Sequence, residues 1–313
     1  MGLTIFDLEV IIKEHLIRPI CQDVLLIGSQ SIYFTPDETL KLFNDYKIPS
    51  RLERDEIEID TKTLNRRDEG RQLIRDTSFF RMLGCRSVKA LDHSDYEGAE
   101  IIHDLTKPLP SPLHGIADFI VDGSTLDNVF NPVLAINTLT ELLRPGGRII
   151  LHNMYSNNYE PYNILPPIWY LDYFVMNKFV DCKVYIIVHM PHNISNVFCI
   201  NLDLVRRWER ENYVCNFISP FEMGILVTAE KGVNSTSDYY PIQQHYRPES
   251  EWKTYWNNLD EMFAYAKPHV CRSHFPLAIR DVKRGHLYLN DKFEAVDPGQ
   301  EIAAKGIYPL VKK

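Results

Sequence analysis

The strongest constraint on this chain is a series of short, largely apolar runs, each stopping on a glycine or an acid. Asp23-Val24-Leu25-Leu26-Ile27-Gly28 is the first; residues 87–92, 100–104 and 117–122 follow, ending at Asp92, Asp104 and Asp122. Short apolar runs bounded by turn residues suit strands buried on both faces. Helical signals lie among them. Ile5, Leu8, Ile11, Ile12 and Leu16 fall at helical spacing, and Thr35-Pro36-Asp37-Glu38 combines a capping threonine, a first-turn proline and acids against the helix dipole. Residues 126–143 form another helical run, closed by Arg144-Pro145-Gly146-Gly147, and a further strand at 148–152 ends on His152. Strands alternating with helices predict a parallel sheet covered on both faces, an α/β fold that binds ligands at the carboxyl ends of its strands.

Around this frame, the charged stretch 51–75 reads either as a surface segment or as a helix leading into the next strand. Residues 153–167, rich in Asn, Tyr and Pro, predict a long loop over the carboxyl edge. A helix near 168–178 and strands near 183–190, 197–203 and 222–231 complete a core domain of residues 1–231. After a polar stretch, a helix over 250–266 opens a C-terminal extension, 232–313, expected either to cap the site or to pair with a second copy.

The 313 residues carry a formal charge of -8, a sign that repels nucleic-acid phosphates. The amino-terminal residues place Asp7 and Glu9 where a signal peptide needs an unbroken apolar core, and no run reaches the eighteen or so apolar residues that cross a bilayer. Six cysteines without close pairing predict free thiols rather than disulfides or a metal site, so the expectation is a soluble, cytoplasmic protein without membrane or nucleic-acid partners.

Three acids at successive strand ends would meet along one rim of the sheet. A carboxylate after the second strand suits a ribose, because it accepts hydrogen bonds from both hydroxyls, and Asp92 fits that role. Aspartate also simply favours loop starts, but three in order favour a site. Gly28 would let backbone approach a cofactor closely, although Ser29-Gln30-Ser31 follows in place of a glycine-rich loop. The missing G-x-G-x-x-G pattern counts against a nicotinamide enzyme.

The succession Leu26-Ile27-Gly28-Ser29-Gln30, Ala90 to Ala99, Ile102-His103-Asp104-Leu105, Val121 to Asn131 and Leu143-Arg144-Pro145-Gly146-Gly147 resembles the Rossmann-like methyltransferases that depend on S-adenosylmethionine (SAM). More narrowly, it is similar to bacterial methyltransferase-domain proteins of surface-glycan or secondary-metabolite pathways. The likeness spans about residues 20–155. It implies a mostly parallel seven-stranded sheet with helices on both faces, SAM as cofactor, Gly28, Ser29 and Gln30 near its methionine end, Asp92 and His93 at the ribose, Asp104 and Leu105 at the adenine, and Asp122 and Gly123 near the reactive centre. Where related sequences carry Glu-His after the fourth strand, this one has Asp127-Asn128, which removes an expected base. His152 is the first candidate for that task and Asp122 the second; a structural histidine at a strand end is the competing reading. Tyr155, Tyr159 and Tyr162 form an aromatic group that either packs in the loop or stacks on an acceptor.

The resulting expectation is methyl transfer to oxygen or nitrogen of a small polar molecule or glycan. Its rival is a methyltransferase fold that binds a ligand or partner enzyme without turnover, and the residues leave the acceptor unnamed.

Overall fold

Burial alternates along the first strand as the pleat requires: Leu25 and Ile27 pack into one apolar layer, Val24 and Leu26 into the other. The computed structural model describes residues 2–61, 70–155, 161–189, 195–200, 215–218, 222–265, 285–289 and 295–296. Eight strands build the main sheet: β1 (Asp23–Ile27), β2 (Ser87–Asp92), β3 (Ile101–Ile102), β4 (Ala117–Gly123), β5 (Leu143–Met154), β6 (Asp181–His189), β7 (Ser195–Ile200) and β8 (Met223–Glu230). Their order is β3-β2-β1-β4-β5-β8-β6-β7. The pairs from β3 to β5 are parallel, whereas β8 runs antiparallel to both β5 and β6. The fold is thus Rossmann-like in the methyltransferase manner, with a reversed strand inserted between β5 and β6. The expected seven-stranded, mostly parallel sheet is present and carries β7 as an antiparallel edge strand.

Helices α1 (Ile5–Ile17), α2 (Pro36–Asp45) and α3 (Asp76–Met82) cover one face, burying Leu8, Ile11, Phe43, Phe79 and Phe80. Helices α4 (Pro132–Leu142), α5 (Pro167–Met176) and α6 (Glu249–Tyr265) cover the other. From α6, Tyr255, Leu259 and Met262 enter the same core as Tyr170 and Phe174 of α5, so the extension begins by completing this layer. A second, three-stranded sheet joins Cys215–Ile218, Gly285–Leu289 and Ala295–Val296.

Local chemistry sets the boundaries. Thr35 caps α2 in a box with Glu38, as its sequence predicts. Helix α4 starts at Pro132 rather than at residue 126, because the Asn131 side chain accepts from Leu134 N and proline fills the first turn. Residues 124–131 are therefore loop. The stretch 51–75 is not one helix: a short 3-10 turn (Arg54–Glu56) and a bridge between Ile59 and Ile74 precede α3. At the edge where strands begin, buried Glu14 joins Arg148 at 3.0 Å and Lys183 at 2.6 Å, tying α1 to β5 and β6. Charges so deeply buried must be paired to be tolerated.

Candidate functional site

Between β1 and β4 the strand order reverses direction, and there open α/β sheets leave a crevice at their carboxyl ends. A cleft of about 330 Å³ opens beside this point, within the range of small-molecule sites. It gathers Gly28, Asp92, His93, Asp104 and Leu105, five of the residues singled out in the sequence. A smaller hollow of about 200 Å³ lies at the opposite edge near Asp23, Asp118 and Arg148, away from those strand ends.

Gly28 turns the chain out of β1 with φ +73°, a left-handed conformation that side chains resist, and its N–H donates to Leu91 O at 2.7 Å. A Cβ there would stand 3.5 Å from Asp92 Oδ2. The two carboxyl oxygens of Asp92 are used differently. Oδ1 accepts from His93 N at 2.6 Å and pairs with His93 Nδ1 at 2.7 Å. Oδ2 accepts no hydrogen bond among the described residues. One oxygen is thus oriented by the protein and the other is left for a donor in the cleft.

Across the crevice, Asp104 Oδ1 accepts from Thr106 N at 2.9 Å and Thr106 Oγ1 at 2.7 Å, bonds that hold its exposed carboxyl below the usual carboxylate range. Leu105 is buried, its carbonyl fixed by Thr138 Oγ1 of α4 at 2.8 Å. Ile27, Leu91, Val129 and Phe130 form apolar walls. Phe130 is 88% exposed and meets Tyr162 edge to face at 6.0 Å, placing an aromatic pair at the rim. Tyr155 instead packs against the core, and Tyr159 lies outside the described residues.

The remaining candidates do not line the cleft. Asp122 is fully buried; its Oδ1 accepts from Thr125 N at 2.7 Å and its Oδ2 from Leu126 N at 3.0 Å, so it caps the turn after β4 instead of emerging beside Asp92 and Asp104. Burial pushes its carboxyl up to about 6. Gly123 abuts Gln30, whose side chain folds inward and donates to Ile27 O at 2.6 Å. Ser29 is half-buried outside the cleft lining. His152 is buried against α1, its Nδ1 2.8 Å from Asp7 Oδ1. Burial opposes its charged form, but the Asp7 carboxylate outweighs this and lifts the imidazole above its ordinary value. That geometry is the structural reading of His152, with no exposure to the cleft.

Asp127, standing where a base was expected, is also internal. It accepts from Ser124 Oγ at 2.8 Å, Asn128 Nδ2 at 3.1 Å and Met154 N at 2.8 Å, which fastens the loop after β4 to the end of β5. Ser124 takes φ +77° in that loop, a conformation that local bonding must hold in a non-glycine residue. Thr125, Val129, Phe130 and His103 were not singled out in the sequence although all line the cleft. Only the short stretch between Asp122 and Pro132 hinted at the first three.

No family model matches the chain, and no curated protein matches it. Among solved structures it is similar to a SAM-dependent methyltransferase from Archaeoglobus fulgidus, at 11% identity over 71% of this chain and 94% of that one, with a TM-score of 0.36. It is similar to the Burkholderia thailandensis 1,6-didemethyltoxoflavin-N1-methyltransferase with bound 1,6-didemethyltoxoflavin and S-adenosylhomocysteine, at 12% identity over 72% and 76%, TM-score 0.30. A Rhodobacter sphaeroides protein described as a putative Zn-dependent alcohol dehydrogenase also aligns, at 12% identity over 47% and 46%, TM-score 0.26. Likenesses this slight decide nothing about chemistry. Among the described residues there is no cluster of His, Cys, Asp and Glu suited to a metal, and no helix long and apolar enough to cross a membrane.

Proposed function

We propose that the cleft binds the adenosyl group of SAM and that the protein transfers its methyl to oxygen or nitrogen of a small polar molecule or glycan. The observation that carries this reading is Asp92: one oxygen locked by His93, the other open to the cleft 3.5 Å from the missing Cβ of Gly28. A carboxylate so presented suits a vicinal diol. Leu91, Leu105 and Val129 supply apolar surface for a base, and Asp104 supplies a polar edge. Sequence resemblance gives the nucleoside its orientation, with the base towards Asp104.

SAM supplies a methyl already activated on a sulfonium. What the chain must do is position the acceptor in line and exclude water, which accounts for much of the rate in such transfers. The aromatic rim of Phe130 and Tyr162 offers a stacking surface for an acceptor. A base is needed only where the acceptor must lose a proton. His152, backed by Asp7, has the chemistry for that task but is buried beneath α1, so it serves only if the amino-terminal segment moves.

That burial, together with the inward-folded Gln30, favours a second reading in which the fold binds an adenosyl ligand or a partner without turnover. Calorimetric titration with SAM, S-adenosylhomocysteine and NADH tests the primary claim. Micromolar binding of the adenosyl ligands, lost in Asp92→Ala, supports it; absence of binding by the intact protein, or preference for NADH, ends it. Methyl transfer to a panel of hydroxyl and amine acceptors then separates enzyme from binder.

A further inference from the structure

Behind the cleft wall at Gly28, the space towards Gly123 is filled by one polar side chain. Gln30 is 3% exposed. Its Nε2 donates to Ile27 O at 2.6 Å and, more weakly, to Gly28 O at 3.4 Å. Its Oε1 is buried and has no partner among the described residues. An unpaired buried amide oxygen is unfavourable, so the inward conformation is stabilised on one side and penalised on the other.

Room for this side chain exists because Gly123 lacks one. A Cβ on residue 123 would fall on Gln30 Oε1, and a Cβ on residue 28 would lie 3.9 Å from its Nε2. The backbone of Gln30 is held separately, its N–H donating to Asp76 Oδ2 at 2.8 Å. Ile27 O keeps a second donor, Thr125 Oγ1 at 3.2 Å. The side chain can therefore change rotamer while the loop stays in place.

We propose that Gln30 is a gate that sets ligand length: turned inward it admits a nucleoside, and it must swing outward to admit an adenosyl group bearing an amino-acid tail. This rests on the adenosyl reading of the cleft. A ligand that extends from Asp92 past Gly28 towards Gly123 meets the Gln30 amide. When the amide leaves, the carbonyls of Ile27 and Gly28 lose its donation, so whatever replaces it must bring hydrogen-bond donors. The ammonium of an adenosyl amino acid does so, whereas a nucleoside ends at its 5′ hydroxyl, too short to pass Gly28 and displace the gate. Gln30 thus lowers affinity for the tailed ligand relative to the nucleoside by the work of opening, as any ligand does that binds a minority conformation.

The test compares adenosine with S-adenosylhomocysteine by calorimetry on the intact protein and on Gln30→Ala, Gln30→Ser and Gln30→Leu. The quantity read is the ratio of the two affinities within each protein, which cancels any change in the folded fraction. Emptying the space in Gln30→Ala or Gln30→Ser is expected to raise the ratio in favour of S-adenosylhomocysteine about tenfold. Gln30→Leu, which refills it, is expected to leave the ratio within about threefold of the parent. An unchanged or lowered ratio in both small variants, with adenosine still binding, overturns the gate alone. If adenosine fails to bind the parent protein, the adenosyl reading falls and the gate falls with it.

Discussion

Two halves of the same sheet edge use the same kind of residue in opposite ways. On the β1–β3 side, Asp92 and Asp104 line the cleft and are each held through one oxygen. On the β4–β5 side, Asp122, Asp127 and His152 are all buried, the acids spent on backbone and loop donors and the histidine on Asp7. What covers each half makes the difference. Residues 2–7 and the loop 124–128 lie over β4 and β5; Leu3 comes within 3.5 Å of where a Cβ on Gly123 would be. Among the described residues, the other half opens on the cleft and its aromatic rim. An acid at a strand end is therefore a ligand group only where the chain leaves it uncovered.

The sharpest way to break this contrast is Asp127→Ala. It leaves Ser124 Oγ and Met154 N without this acceptor inside the protein, and each buried donor left unpaired costs about 1–3 kcal/mol. Urea denaturation should show a loss of that order. A variant as stable as the parent would mean that Asp127 does not tie β4 to β5.

Next in size is the pH response of Asp122. Its folded value near 6 lies above the ordinary aspartate value of about 4, so between those pH values the folded chain holds a proton that the unfolded chain has released. The associated stability is complete below about pH 4 and is lost as pH rises through about 6, by at most about 3 kcal/mol. Asp172, also pushed by burial to about 6 against the opposing Arg247, acts in the same direction and stays in place as an internal reference. Denaturation of the parent and of Asp122→Asn across pH 4–7 should show a shallower fall in the variant. Identical slopes would place Asp122 in a more hydrated setting than its burial indicates.

Asp92 belongs to the opposite class. Asp92→Ala should change stability by less than about 1 kcal/mol, because its fixed oxygen holds only His93 and, weakly, Ser94. It should weaken adenosyl binding roughly 10- to 100-fold, the worth of charge-assisted hydrogen bonds to a diol. If stability falls and binding survives, Asp92 is a loop anchor like Asp127, and the two halves of the edge are alike.

The α/β frame was legible because its signals are local: apolar runs, the Thr35 cap, the Pro-Gly-Gly stop after α4. The acids at the ends of β2 and β3 were legible for the same reason. The separate fates of Asp92 and Asp122 were not. Both close an apolar strand and open a loop, and nothing near either one reports that α1 and Leu3, over a hundred residues earlier in the chain than Asp122, cover one of them. His152 was legible as a strand-end histidine but not as the partner of Asp7, a contact set by the docking of α1. Gln30 looked like a departure from a glycine loop, whereas its placement depends on Gly123 being bare across the crevice.

The smallest expected effect concerns the rim. Phe130 is 88% exposed and contributes only its edge-to-face contact with Tyr162, so Phe130→Ala should alter stability by less than about 0.5 kcal/mol. Its ring still borders the cleft, and an aromatic pair contributes about 0.5–1.5 kcal/mol beyond simple burial. Losing it should weaken whichever partner stacks there by about 3- to 10-fold. Which partner that is separates two roles for the rim: a fall in S-adenosylhomocysteine affinity places the ring on the nucleoside. A fall seen only in turnover, or in binding of an acceptor to the protein already loaded with S-adenosylhomocysteine, places it on the acceptor. Because the parent protein keeps this ring in solvent, the variant isolates ligand contact from folding more cleanly than any substitution on the covered half of the edge. An effect on neither ligand would leave the open half defined by Asp92 and Asp104 alone.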